Sequence, residues 1–319
     1  MKWEGVYPAV TTPFREDLSV DLEFFARHLE SMREAGCRGF VPLGSLGEGA
    51  TLAFTEKEEI LREARRAAGD RARVVAGIAA LSTADAVAAA RMAERCGCDG
   101  LMVLPPYVYR PDARETAAHF SAVIGATGLP CMLYNNPIAY GTDVSPEELA
   151  ALADRHANLE AVKESSGDVR RVTAIRATLG DRLAVFMGVD DLVVEGVQAG
   201  ATGWIAGLVN ALPAESVRLF DLARSGEWTE ARALYDCFLP LLRLDTLPKF
   251  VQLIKLVQVE VGRGTARVRP PRLELTGPEY DDALALIRDR LAMRPRLTAG
   301  RHQRSAMPAE VVGSPAGSR

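Results

Sequence analysis

Lysine is scarce in this chain of 319 residues: Lys2, Lys57, Lys163, Lys249 and Lys255 stand alone among 38 basic residues. Histidine is scarcer still. His28, His119, His156 and His302 show no ligand-like spacing, which argues against a zinc site. The five cysteines, Cys37, Cys96, Cys98, Cys131 and Cys237, are odd in number and scattered. Cys96 and Cys98 are separated by one residue rather than two and no second pair follows, so they read as reduced, mostly buried thiols. No apolar run approaches the roughly 18 residues of a membrane span. A net charge of −4 gives no basic excess for nucleic acid or an anionic membrane to recognise. The N-terminus, MKWEGVYPAVTTPF, lacks a long apolar stretch and a small-residue cleavage site, so a cytoplasmic protein is expected.

What the chain has is repetition. Short apolar runs fall at 6–14, 39–45, 73–79, 100–106, 129–137, 159–165, 183–191 and 200–210. Segments of helical spacing lie between them, several starting at Ser, Thr or Asp and stopping at Gly, as helix caps do. One residue near the end of each run (Thr11, Gly44, Gly77, Pro105, Tyr134, Lys163, Gly188, Gly207) marks a repeat of 19 to 33 residues. That is the length of a βα unit, and eight of them predict an α/β fold, a (β/α)8 TIM barrel over residues 1–211. An open doubly wound sheet is the alternative; it favours a GxGxxG turn after the first strand, where this chain has Thr11-Thr12-Pro13. Residues 212–293 read as a C-terminal helical extension. The Pro/Gly/Ser/Arg-rich stretch 294–319 reads as a disordered tail.

In such a barrel the C-terminal strand ends form the floor of the active site. Lys163 ends the sixth run, whereas the other four lysines lie in helical or terminal stretches. Burial beside apolar neighbours would lower its pKa and leave a neutral amine able to attack a carbonyl carbon. Position alone leaves open a second reading, in which its head pairs with Glu48 or Glu164. Tyr134 ends the fifth run and could serve as general acid and base, or could plug the barrel top before Pro137. The loop Gly44-Ser45-Leu46-Gly47-Glu48-Gly49 could bare consecutive amides and the Ser45 hydroxyl to a carboxylate, or be a plain glycine turn. An amine, a phenol and an anion nest on strands six, five and two together describe a site for a 2-oxo acid or a related cyclic imine.

These same stretches carry a family resemblance. Gly44-Ser45-Leu46-Gly47-Glu48, Tyr134-Asn135-Asn136-Pro137 and Lys163-Glu164-Ser165-Ser166-Gly167-Asp168 resemble the marks of the dihydrodipicolinate synthase and N-acetylneuraminate lyase superfamily, over residues 4 to 290. The resemblance implies Lys163 as the imine-forming residue, Tyr134 as proton shuttle, Ser45, Leu46 and Gly47 as carboxylate binder, and Ile205 as a backbone contact to the bound acid. It implies a homo-oligomer, tetramer or dimer, and a small-molecule substrate. No metal or redox cofactor is called for, because a protonated imine is itself the electron sink.

The chain departs from the synthase pattern at three places. Ala139 stands where the synthases carry an arginine, Val108 where they carry a relay tyrosine, and Leu46 where they carry a threonine. The finer pattern resembles the 1-pyrroline-4-hydroxy-2-carboxylate deaminases. Part of that likeness is a late stretch from Leu244-Asp245 through Lys255 to Arg272-Leu273, expected to lie far from the chemistry. The expected reaction is conversion of the cyclic imine to 2-oxoglutarate semialdehyde and ammonia. The alternatives are an aldolase or dehydratase of 2-keto-3-deoxy sugar acids, 4-hydroxy-tetrahydrodipicolinate synthase, and a non-catalytic barrel that binds a 2-oxo acid.

Overall fold

The computed structural model describes residues 1–294, so the expectation for the tail falls outside the described residues except at Arg294. Eight parallel strands form one sheet: β1 (Gly5–Pro8), β2 (Gly39–Phe40), β3 (Arg73–Ile78), β4 (Gly100–Val103), β5 (Cys131–Asn135), β6 (Leu159–Glu164), β7 (Ala184–Met187) and β8 (Gly203–Ala206). From β2 to β8 each strand pairs with the next in sequence, and β1 pairs with β8. A bridge between Ala9 and Val41 joins β1 to β2 and completes the ring. The eight expected strands are therefore the eight observed, in a (β/α)8 barrel. β2 is shorter than its apolar run because the chain turns at Pro42 and Leu43, the latter at φ 66°.

The helices between strands are α1 (Leu22–Glu34), α2 (Phe54–Ala68), α3 (Thr83–Arg95) and α4 (Ala113–Ile124), then the short α5 (Pro137–Tyr140) and α6 (Pro146–Arg155). α7 (Arg170–Leu179), α8 (Val193–Gln198) and α9 (Pro213–Ser225) complete the ring. Their starts follow the sequence: Asp21, Ser82, Asp112 and Ser145 each accept a hydrogen bond from an amide of the first turn. α9 packs on β1 and α8. Residues 212–225, expected in the extension, therefore lie against the barrel wall, because β8 and β1 need their outer faces covered like every other strand. Beyond it follow α10 (Trp228–Leu242), α11 (Phe250–Glu260) and α12 (Gly277–Ala292). Among the described residues no helix is long and apolar enough to cross a membrane. Four of the five cysteines are buried and all are free.

Alternation along each strand sorts side chains between two cores. Outward residues pack under the helices. Inward residues, among them Tyr7, Met102, Met132, Tyr134, Ala161, Phe186 and Ile205, fill the barrel interior. Large rings there demand small partners: a Cβ at Gly39 would lie 2.2 Å from the Tyr7 ring, and one at Gly203 would lie 2.2 Å from Phe186. Tyr134 and Lys163 sit directly opposite one another in the β5–β6 register, both pointing inward above this packed floor.

The loop after β2 is held from an unexpected direction. Glu48 has φ 54°, a left-handed conformation that costs a non-glycine residue on the order of 1–2 kcal/mol. Its buried carboxylate is met by the Lys255 ammonium of α11 at 2.6 Å and by the Arg269 amide at 2.9 Å. Lys255 also donates to the carbonyls of Thr12, 2.9 Å, and Arg267, 2.6 Å, so its three protons are all used. The extension thereby clasps the nest loop to the barrel. Removing one partner of a buried pair strands the other charge, at a cost of about 3–5 kcal/mol. We expect Lys255→Met to lower the unfolding free energy by about that amount in urea titrations. A loss below about 1 kcal/mol would show that the clasp is dispensable.

Candidate active site

A cavity of about 500 Å³ opens at the C-terminal ends of the strands. Ser45, Leu46, Tyr134, Lys163 and Ile205 all line it, as does Ala139. Gly47 does not. It lies behind the wall, its carbonyl accepting a 2.6 Å bond from the Thr12 hydroxyl and its Cα too close to the Val10 carbonyl for a side chain. The amides of Ser45, Leu46 and Gly47 enter none of the loop's backbone hydrogen bonds, whereas those of Glu48 and Gly49 do. The loop thus keeps donors free near the cavity, as an anion nest requires.

Lys163 is 6% exposed, and its ammonium forms no ion pair or hydrogen bond among the described residues. The two carboxylates that the sequence offered as partners are occupied elsewhere. Glu48 pairs with Lys255, and Glu164 accepts from Asn135 and from the Ser166 amide. Loss of water pushes the Lys163 pKa down to about 8, against the opposing pull of Asp245 and Asp190. Its stem runs across Gly188 at the end of β7, where a Cβ would lie 2.6 Å from Lys163 Cε and 2.0 Å from Ser165 Oγ. Glycine at 188 is therefore a steric condition for the lysine's path.

The Lys163 ammonium stands 4.0 Å from the centre of the Tyr134 ring. The Tyr134 hydroxyl accepts a 2.9 Å bond from Asn136. Burial raises its pKa, opposed by Asn136, Ser165 and Ser45 close by, so the phenol holds its proton until a partner draws it off. Tyr140 packs edge-on against Tyr134 and its hydroxyl meets that of Ser45, linking the phenol cluster to the nest loop. Tyr107 lies against Tyr140, its ring tilted at 47°. Val108, in the relay position of the synthases, is 61% exposed.

Sequence reasoning missed three wall residues, Tyr140, Asp245 and Arg272, and Asp190 behind the wall. Asp190, just after β7, is fully buried and accepts from Trp204 Nε1, 3.0 Å, from the Gly207 amide, 3.0 Å, and from the Leu208 amide, 2.8 Å. Burial nevertheless lifts its pKa to about 6. The late stretch, expected far from the chemistry, supplies Asp245, Thr246, Leu247, Pro248, Phe250 and Arg272 to the cavity wall. It is carried there because α11 folds back across the barrel mouth, clasped by Glu48.

A strand-end lysine in a closed barrel, its amine partly neutral beside a phenol and an anion nest, defines the lyase-type enzymes that work through an imine. The chain belongs to the Dihydrodipicolinate synthetase family, whose profile matches residues 2–289. It is 36% identical over 298 residues to the 4-hydroxy-tetrahydrodipicolinate synthase of Xanthomonas axonopodis pv. citri, covering 92% of this chain and 96% of that one. The structure of 4-hydroxy-tetrahydrodipicolinate synthase from Methylacidiphilum fumariolicum SolV superposes with TM-score 0.86 at 29% identity, covering 92% and 98% of the two chains. YagE, a prophage protein of the same family from E. coli K12 in complex with pyruvate, superposes with TM-score 0.85 at 27% identity, covering 91% and 99%.

Gly188→Ala tests the steric argument. We expect the folded variant to lose at least about tenfold in the rate of imine formation, since a misplaced reacting group costs on that order or more. The measurement is borohydride trapping with pyruvate, read by intact mass. Trapping at the unaltered rate would contradict the crossing of Lys163 over position 188.

Proposed function

We propose that this family member deaminates and dehydrates a cyclic imine, 1-pyrroline-4-hydroxy-2-carboxylate, releasing ammonia and 2-oxoglutarate semialdehyde. The observation that carries the reading is the unpaired Lys163 amine facing a cavity with no cation at Ala139. Lys163 attacks C2, the ring opens by exchange of one imine for another, and the new protonated Schiff base acidifies C3. Tyr134 moves the C3 proton, the Ser45 hydroxyl and the free amides of the nest loop hold the carboxylate, and the Ile205 backbone borders the imine carbon. The C4 hydroxyl departs as water. The resulting unsaturated imine tautomerises so that C5 becomes the carbon of a second imine, and hydrolysis by two waters releases ammonia and the semialdehyde and frees the lysine.

A second reading is 4-hydroxy-tetrahydrodipicolinate synthase, favoured by the name that the curated relatives carry. Against it stand Ala139, Val108 and Leu46, which remove a bidentate carboxylate clamp, a proton relay and a hydroxyl. Ammonia release from the hydroxypyrroline acid, set beside condensation of pyruvate with aspartate semialdehyde, separates the two. We expect the first and not the second, and loss of the first in Lys163→Ala. Condensation without ammonia release would give the assignment to the synthase.

The pH dependence follows from the lysine. Only the neutral amine attacks, so with a pKa of about 8 roughly a tenth of the sites are competent at pH 7. Pyruvate trapping should rise about tenfold per pH unit below 7 and level off above about 8. A flat profile from pH 6 to 9 would mean that the amine is neutral throughout. A homo-oligomer fits the exposed Val108, Tyr109 and Ile138 on the segments after β4 and β5, and sedimentation as a monomer would count against it.

A further inference from the structure

The imine chemistry leaves one demand unmet, because a hydroxyl is a poor leaving group unless it receives a proton as it departs. The phenol of Tyr134 lies on the β5 side of Lys163 and is committed to C3. On the other side of the lysine the floor is formed by Gly188 of β7 and then Gly207 of β8. Over Gly207 lies the carboxyl of Asp245, so close that a Cβ at 207 would stand 2.1 Å from Oδ1. Asp245 is delivered by the turn Arg243–Thr246 between α10 and α11, anchored by the buried Leu244. Its carboxyl faces the cavity and makes no hydrogen bond or ion pair among the described residues. Such a group has no structural partner to serve.

We propose that Asp245 is a catalytic residue, the general acid that protonates the departing hydroxyl at C4 of a 4-hydroxy-2-imino acid bound to Lys163. The inference rests on the imine reading and narrows its substrate class to acids with a leaving hydroxyl two carbons from the imine. In the step, Tyr134, left as phenolate after giving its proton to the ring nitrogen as that nitrogen departs from C2, takes the C3 proton of the protonated imine, and the electrons of the C3–H bond form the enamine. The enamine then forms C3=C4 as the C4–O bond breaks, and the oxygen takes the Asp245 proton to leave as water. Asp245 is left as carboxylate and recovers a proton from solvent before the next turnover. No oxidant or reductant is needed.

The electrostatic setting agrees with a carboxyl held in its acid form. Burial raises its pKa well above the usual carboxylate range, and the neighbouring Asp190 and Asp191 reinforce this while Lys163 opposes it. Asp190 itself is tied to the Gly207 and Leu208 amides and Trp204, which leaves Asp245 as the proton carrier that can reach the cavity. Arg272 on the same wall is the other charged group facing the space.

The test compares Asp245→Asn with wild type in three assays. With pyruvate and borohydride at pH 9, where Lys163 is neutral in both proteins, the variant should form the Lys163 adduct as wild type does. With the hydroxypyrroline acid its ammonia release should fall by roughly 100-fold or more, the usual weight of a general acid. With 4-chloro-2-oxobutanoate, whose chloride departs without a proton, elimination should return to within a few-fold of wild type. Unchanged ammonia release, loss of the adduct, or failure of the chloro acid to rescue would each overturn the role. Failure of the wild type itself to release ammonia while still trapping pyruvate would instead refute the deaminase reading, and the role of Asp245 with it.

Discussion

The site depends on one amine kept from water and given no partner. An exposed lysine is an ammonium at neutral pH and attacks nothing; the inward-facing position on β6 strips its hydration, and the lysine has no ion pair in return. A closed ring of strands eases this, since the strand backbone beneath the amine is hydrogen-bonded within the sheet. Asp190, whose pKa near 6 leaves it charged at neutral pH, helps keep the balance from tipping too far, and the Lys163 pKa settles near 8. The same burial that frees the lysine's electron pair raises the pKa values of Tyr134, Asp190 and Asp245. One low-dielectric chamber thus sets acids and base to opposite ends of their ranges.

Most of the scaffold could be read in advance, because parallel strands buried on both faces leave continuous apolar runs and each crossover helix advertises its caps. Lys163, Tyr134 and the nest loop were legible for a related reason: a polar residue at the end of such a run contradicts its surroundings and so stands out. Asp245 and Arg272 offered no such contradiction. They sit in ordinary polar turns of a helical segment, and only the return of α11 across the barrel mouth brings those turns to the cavity that Lys163 lines. Lys255 was hidden the same way, since a lysine on a helix is unremarkable until the helix is seen to be buried. Local pattern records what a residue is next to in sequence, and these three act across more than 80 residues.

The division of labour that results is uneven. Strand ends supply the groups common to imine formation, fixed by sheet register to within the tolerance of the pleat. The extension supplies the outer wall, where a substrate's distal atoms would lie: Asp245 and Arg272 stand there, across the cavity from Ala139 and Leu46. Ser165 adds a buried hydroxyl without a hydrogen-bond partner beside the lysine, a group that a bound acid could satisfy.

The Glu48 and Lys255 pair has a consequence for how such a chain can diverge. It bolts the segment that forms the outer cavity wall to the loop after β2 that forms another part of that wall, through a carboxylate in a backbone conformation that few residues tolerate. Neither piece can be exchanged with a cousin's unless the other travels with it. Recombination between relatives should therefore succeed when the crossover points keep residues 48 and 255 from the same parent, and new specificities should arise by drift in the turns around 245 and 272 while the bolt stays in place.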